Sequence, residues 1–592
     1  MRPIPRRLMA MASAVALTAG LLSVSTAPSA EAAGPSPTSK VEKRRSKAVK
    51  TPKLDWYKCY EYARCATVKV PLDYDKPKGK KVQLALLKVP AKNQRKKIGT
   101  LFVNPGGPGG SGTEIAYYSP YIFSPAVTDR FDVVGFDPRG IAFSQNVKCF
   151  PSARKNDPVL NTIYSAAFPY GAKQEKAFIK AYGKHAKACS TTGKPLSGSM
   201  STAEVARDMD LLRRAVGDKK LTYFGFSYGS YLGEVYANMY PNRVRALAID
   251  GVLDPVAWAG TKKTASTPMG TRLGSAAGAS KALRETLVRC DEAGPTKCAF
   301  SAGNPVANYE KIAQRLRKGP LYEIDPESGE RYLAATYDGF VANTLSMLYD
   351  GYGGPDYVAD YASYLYELID PTTSAGLSAA QRKATVSSLI KLEKSTKERQ
   401  QQRGIPGRAF GFPYDNSLDA FQSIVCTDSR NTRNIAEFPA LAKKADKKAP
   451  YFGRLWLWNQ AGCASPKWKV KDEDAYRGPF TKRTSSTVLI VGNTWDPATN
   501  YAGAVSTSKR MPNSRLLSSS SWGHTAYGSS DCVTDAVDTY LLTKKVPAKG
   551  KRCVGDYQPF VEDLVDDDEE TSESRTRQQM RIPIAPARPG LR

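Results

Sequence analysis

The sequence predicts an α/β protein, a mostly parallel central sheet with an inserted, mainly helical cap. Three observations carry this. Apolar, β-branched runs alternate with helical patterns up to about residue 254; that rhythm stops between Pro255 and Lys482; and it resumes at "STVLIVG", Ser486–Gly492. A run that is apolar along its whole length suits a strand covered on both faces, as parallel strands are.

Taken in order, residues 1–33 read as an export signal. Arg2, Arg6 and Arg7 precede an apolar run from Leu8 to Val24, and Ala27, Ser29, Ala30, Ala32 and Ala33 offer small residues for cleavage. Residues 34–53, with the dense "KVEKRRSKAVK", read as a basic linker or a propeptide removed after export. Residues 54–254 form the first part of the core. Strands are expected at Ala66–Leu72, Val82–Val89, Gly99–Pro105, Phe131–Asp137, Leu221–Phe226 and Val244–Asp250. Between them, "STAEVARDMDLLRRAVG" (Ser201–Gly217) places Val205, Met209, Leu212 and Val216 on one stripe, with charges between, and ends on glycine, the pattern of an amphipathic helix.

Residues 255–482 read as the cap, rich in helical, tyrosine-bearing segments such as "YVADYASYLYELID". The sheet returns in residues 483–557, with strands at Ser486–Gly492 and Ser514–Ser520. Residues 558–592 are polar, then proline-rich, and read as a disordered tail.

Composition narrows the function classes. The net charge of +30 raises nucleic-acid binding, but the lysines are scattered. They show neither the stacking-aromatic pattern of a single-strand binder nor a helix-turn-helix or zinc-finger spacing. No nucleic-acid partner is expected; a weak attraction to anionic cell-wall polymer or membrane surface is. The ten cysteines of an exported chain are expected as disulfides, with sequence neighbours paired: Cys59 with Cys65, Cys149 with Cys189, Cys290 with Cys298, Cys426 with Cys463, and Cys532 with Cys553. A metal site is disfavoured by the absence of CxxC pairs and by a total of two histidines.

The chemistry starts at "GFSYG", Gly225–Gly229, a Gly-x-Ser-x-Gly turn after an apolar strand and before a helix. Such a turn lifts a serine out of the sheet edge and aims the next helix N-terminus at the reacting centre, so Ser227 is the expected nucleophile. Its base must be a histidine. His185 lies in a lysine-rich helix and reads as a surface residue, whereas His524 lies in a Gly/Ser-rich loop after the last expected strand. The orienting acid is expected at Asp496, after the preceding strand, with Asp254 as the rival; Ser, Asp and His then follow in the order of an α/β-hydrolase. "NPGGPGGSG", with five glycines from Gly106 to Gly112, suits an oxyanion loop, with Gly106 or Gly107 as one backbone donor and Tyr228 as the other. A phosphate loop is disfavoured because its Lys-Ser/Thr is missing.

Together, "NPGGPGGSG", "GFDPRGIAFS", "STAEVARDMDLL", "GFSYGSYLGEVYANMYP", "AIDGVLDP", "VLIVGNTWDPATN" and "GHTAYGSSDCV" resemble the secreted tripeptidyl aminopeptidases of actinobacteria, α/β-hydrolase serine peptidases related to proline iminopeptidases. The likeness spans roughly Leu54 to Tyr557. It implies Ser227, Asp496 and His524 in the roles reached above, and a structural or loop-shaping role for Asp137 and Arg139. Pro105 departs from the histidine that usually opens this loop in proline iminopeptidases.

The expected function is that of a secreted serine exopeptidase acting on peptide substrates without metal or organic cofactor. The alternatives are a secreted carboxylesterase or lipase-like hydrolase, and a non-catalytic envelope-binding protein. An aminopeptidase also needs an acid for the substrate ammonium. Asp428 is the candidate, with Glu234 behind it because a helix-interior glutamate is commonly just solvated.

Overall fold

A computed structural model of the protein describes residues 34–370, 376–402 and 412–561, with the backbone alone over 395–402. The expected export signal and residues 562–592 of the expected tail lie outside the described residues.

The central sheet has ten strands: β1 (Tyr57–Cys59), β2 (Ala63–Pro71), β3 (Lys81–Val89), β4 (Gly99–Asn104), β5 (Phe131–Phe136), β6 (Leu221–Phe226), β7 (Val244–Asp250), β10 (Val488–Trp495), β11 (Ser514–Trp522) and β12 (Arg552–Cys553). The remaining pair, β8 (Leu321–Ile324) and β9 (Arg331–Ala335), forms a separate hairpin. The order is β1-β2-β3-β5-β4-β6-β7-β10-β11-β12. β1, β2 and β3 run antiparallel to their neighbours, and from β5 through β12 every pairing is parallel. The C-terminal ends of β4, β6, β7, β10 and β11 therefore share one edge, where open α/β sheets hold their ligands.

β6 explains its own sequence. Tyr223 faces the cluster built with helices Thr202–Ala215 and Tyr228–Met239, while Phe224 and Phe226 face the opposite cluster with Val537 and Tyr540 of helix Asp531–Thr543. Both faces are dry, so all six positions are buried.

The segment between Pro255 and Lys482 is mostly helical and has its own core of Leu283, Tyr309, Phe340, Tyr361 and Trp458. Two features differ from the sequence reading. Its helices are interrupted by the β8–β9 hairpin around "DPESG", and Val159, Leu160 and Phe178, from helices Ala153–Ile163 and Ala172–Cys189, join the cap's core rather than the sheet's. Conversely, Phe421, Ile424 and Val425 of helix Ser417–Asp428 pack into the core cluster of Tyr228 and Tyr231.

The basic stretch read as a linker is a helix, Lys40–Ala48, begun by Ser39, whose hydroxyl accepts from the Glu42 N–H. Glu42 and Arg45 are buried because they meet charges on the core: Glu42 accepts from Arg45, Arg207 and Tyr240. The charges of helix Thr202–Ala215 are likewise not a solvated face. Arg207 pairs with Glu204, and Asp208 is held by a doubly bonded, fully buried Arg139. Five disulfides join Cys59 to Cys65, Cys149 to Cys189, Cys290 to Cys298, Cys426 to Cys463 and Cys532 to Cys553. No helix among the described residues is long and apolar enough to cross a membrane.

Candidate active site

Ser227 follows β6 directly, with φ 56° and ψ −123°, a backbone region that side chains resist. The strain is held by a hydrogen bond from Ser227 N–H to the Asp250 carbonyl at the end of β7, 2.8 Å. The flanking glycines are required by close approach. A Cβ on Gly225 would lie 2.4 Å from the Gly229 carbonyl oxygen, and one on Gly229 would lie 2.8 Å from that of Asn104. Strand and helix can meet this tightly only without side chains between them.

The glycine loop leaves β4 beside this turn. Gly106 has φ +96°, and a Cβ there would sit 2.8 Å from Ser227 Cβ and 2.9 Å from Tyr228 N. Its N–H donates to Asn104 Oδ1 at 3.0 Å, so of the two glycines left open by the sequence, Gly106 is already committed. Asp137 secures the far end of the loop, accepting from Ser111 Oγ, Thr113 N and Phe143 N.

Asp496 follows β10 and His524 stands just past β11. Their contact is 2.8 Å from His524 Nδ1 to Asp496 Oδ2 and 3.0 Å to Oδ1. Four donors fix the carboxylate: Ala498 N, Thr499 N, Thr499 Oγ1 and Thr525 N. Burial would raise its pKa, but the imidazole and these donors outweigh it and hold the carboxyl below the usual aspartate value. His524 Nε2 has no hydrogen-bond partner among the described residues. Asp254 takes no part: it caps helix Pro255–Ala259 and accepts from Ser506 Oγ.

Residues 99–270 match the family described as alpha/beta hydrolase fold, and residues 449–553 match TAP-like protein. The chain is a serine hydrolase of the α/β-hydrolase fold, similar over its last part to TAP-like protein. Similar curated proteins include serine protease Hip1 of Mycobacterium tuberculosis, 28% identical over 516 residues that cover 83% of this chain and 87% of that protein. Tripeptidyl aminopeptidase of Streptomyces lividans is 27% identical over 544 residues, covering 84% and 86%, and carboxylesterase B of Mycobacterium tuberculosis is 29% identical over 527 residues, covering 85% and 91%.

Within this hydrolase, the cap closes over the serine. A cavity of about 60 Å³ lies beside Ser227, walled by Leu253, Trp258, Phe421 and Trp456, with Tyr349 and Thr499 at the histidine side. The Tyr349 carbonyl accepts from His524 N–H at 3.0 Å, and its ring meets the imidazole edge-on with centroids 5.0 Å apart. Thr499 Oγ1 stands 3.5 Å from His524 Nδ1. Cap and core thus both bear on the imidazole.

The two expected ammonium receptors are elsewhere. Asp428 is buried, and its carboxylate is taken by Thr202 N, Thr202 Oγ1 and Trp258 Nε1; burial pushes it up to about 7 against those donors. It anchors the start of helix Thr202–Ala215 to the cap and does not line the cavity beside Ser227. Glu234 is not solvated and does not line that cavity: it is fully buried, accepts from Thr507 Oγ1, and burial drives its pKa well upward. His185 is likewise no surface residue. It is fully buried, 2.8 Å from Asp419, and ties helix Ala172–Cys189 to helix Ser417–Asp428.

The residue missed from sequence is Asp250. Its carbonyl holds Ser227, and its carboxylate accepts from Ala526 N and Tyr527 N, two and three residues after His524. The signal was present as a lone acid ending the apolar run "ALAI", a costly place for a charge without partners.

Proposed function

We propose that this hydrolase is a secreted serine exopeptidase that releases short peptides, tripeptides in particular, from the free N-terminus of peptide substrates. The observation that carries the chemistry is the imidazole of His524, fixed through Nδ1 by Asp496 and unpartnered at Nε2. With Nδ1–H donated to the carboxylate, Nε2 carries the lone pair a base needs. Ser227 Oγ bonds to the scissile carbonyl carbon as its proton passes to Nε2. The oxyanion is met by the N–H groups of Tyr228 and Gly107, Gly106 being engaged by Asn104. The C–N bond breaks as Nε2 returns the proton to the leaving amine. Water then attacks the acyl-enzyme, giving its proton to Nε2, and Ser227 leaves reprotonated.

The names of Hip1 and of the Streptomyces enzyme support peptide substrates, and the cap side chains beside Ser227 favour a chain end over a chain interior. The five disulfides suit an oxidising compartment. One observation favours the carboxylesterase reading instead. Among the described residues, no carboxylate lines the cavity at Ser227, so an ammonium receptor there would have to come from elsewhere.

The deciding experiment compares single-turnover release from a free-amino tripeptidyl anilide, a single-residue anilide, an N-acetylated tripeptidyl anilide and a short-chain ester. Preference for the free-amino tripeptide, abolished by Ser227→Ala, is the expected result. Equal turnover of the acetylated peptide and the ester would replace the exopeptidase with a general esterase.

A further inference from the structure

The wall of the Ser227 cavity is apolar on most sides, with Leu253, Trp258, Leu273, Phe421 and Trp456. Beside the polar Ser275, Asn459 and Thr499, it is interrupted by Gln460. This residue follows the cap helix Phe452–Trp458, is 6% exposed, and lines the same cavity. Its Oε1 accepts from Gly270 N–H at 2.6 Å, which fixes which way the amide faces. The approach is built for that bond: a Cβ on Gly270 would lie 2.4 Å from the Trp456 carbonyl oxygen and 3.3 Å from Gln460 Oε1. The other polar atom, Nε2, has no hydrogen-bond partner among the described residues.

A fixed, unpaired N–H donor in an aromatic wall asks for an acceptor, and the neutrality of both favours a carbonyl over a charged group. We propose that Gln460 Nε2 donates to a backbone carbonyl of the acyl part of the substrate, beyond the scissile one, and so selects peptidyl over simple acyl groups. A tripeptidyl chain carries such carbonyls, whereas a short alkanoyl chain has none. The inference rests on the exopeptidase reading above and gives it a means of discrimination that needs no carboxylate at the serine.

Two variants test it. Gln460→Glu keeps an acceptor for Gly270 N–H and the size of the side chain, and at pH 8 replaces the donor with an acceptor. Gln460→Met removes both. Kinetics are read on a free-amino tripeptidyl p-nitroanilide and on p-nitrophenyl butyrate, the ester serving as an internal measure of folded, competent enzyme. The expected result is a loss of roughly tenfold or more in kcat/KM on the anilide in both variants, with the butyrate rate nearly unchanged. Equal losses on both substrates, or no loss on the anilide, would overturn the assignment while leaving the exopeptidase reading intact. A wild-type enzyme silent toward the anilide would overturn both.

Discussion

The carbonyl oxygen of Asp250 accepts the N–H of Ser227 at 2.8 Å, so the residue that ends β7 holds the strained turn that ends β6. The same residue's carboxylate gathers the N–H groups of Ala526 and Tyr527 behind His524. One aspartate thus sets the positions of both partners in the proposed proton transfer.

Asp250 should also make stability depend on pH. Burial pushes its carboxyl up to about 6, opposed by the Tyr527 and Ala526 N–H groups, with Asp496 nearby adding to the rise. Its folded-state pKa lies above the unfolded value, so its contribution is fully present below pH ~3.9 and is lost as pH rises through about 6. Asp250→Asn removes this titration while keeping an acceptor for the two amides. The wild type should therefore gain thermal stability between pH 7.5 and pH 5 relative to the variant. Parallel melting curves across that range would show that Asp250 does not titrate there.

Gly229 is the second test, because its neighbour links two parts of the site. A Cβ there would press on the Asn104 carbonyl at 2.8 Å and on Asn104 Oδ1 at 2.9 Å, the oxygen that holds Gly106 N–H. Gly229→Ala should cost about 1–3 kcal/mol of stability, as overpacking does. Because the displaced atom supports the glycine loop, kcat should fall by about two orders of magnitude, the loss expected when an oxyanion donor is misplaced. Loss of stability with unchanged kcat would separate Asn104 from the loop's function.

These residues also mark how far the sequence could be read. The turn at Ser227, the placing of Asp496 and His524 after late strands, and most strands are legible because each rests on local pattern, such as glycines at fixed offsets or an apolar run of strand length. What was not legible depends on partners distant in the chain. Glu42 reads as part of a solvated basic run, yet it is buried because Arg207 and Tyr240 arrive from 165 and 198 residues away. Asp428 and His185 fail in the same way. A carboxylate beside a cysteine reads as a free receptor until Thr202 and Trp258 occupy it, and a histidine among lysines reads as exposed until Asp419 meets it.

The Cys426–Cys463 disulfide closes a loop that contains Trp456, Asn459 and Gln460, all of which line the cavity. With a sequence separation of 37 residues, chain entropy assigns the bond about 4 kcal/mol. The double variant Cys426→Ser/Cys463→Ser should melt earlier. It should raise KM for the peptidyl substrate more than it lowers kcat, because His524 and Asp496 lie outside the loop. A kcat loss at constant KM would show that the cap governs the chemical step rather than the fit of the acyl group.

The N-terminal helix Lys40–Ala48 is tied to the rest of the molecule by a network of charges. Glu42 accepts from Arg45 at 2.7 Å, from Arg207 at 2.9 and 3.1 Å, and from Tyr240 at 3.1 Å; Arg45 continues to Asp75 and to Asp474 at 2.6 and 2.5 Å. Burial works against the Glu42 anion, but Arg207 and Arg45 outweigh it and hold its pKa below the usual glutamate value. Its contribution is therefore present at neutral pH and above, and is lost as pH falls through the lowered folded value. Removing one member of a buried network is expensive, because the charges left behind keep their desolvation cost; Glu42→Ala should lose about 3–5 kcal/mol. Removing residues 34–53 as a propeptide would break this network, since it would take away both Glu42 and Arg45. A chain beginning at residue 34 should fold and work like the full-length protein, whereas one beginning at residue 51 should melt well below it, leaving Arg207 without its Glu42 partner. N-terminal sequencing of the mature, active protein checks the point. A mature start beyond residue 50, with full activity and an unchanged melting temperature, would mean that the helix serves an earlier step such as folding.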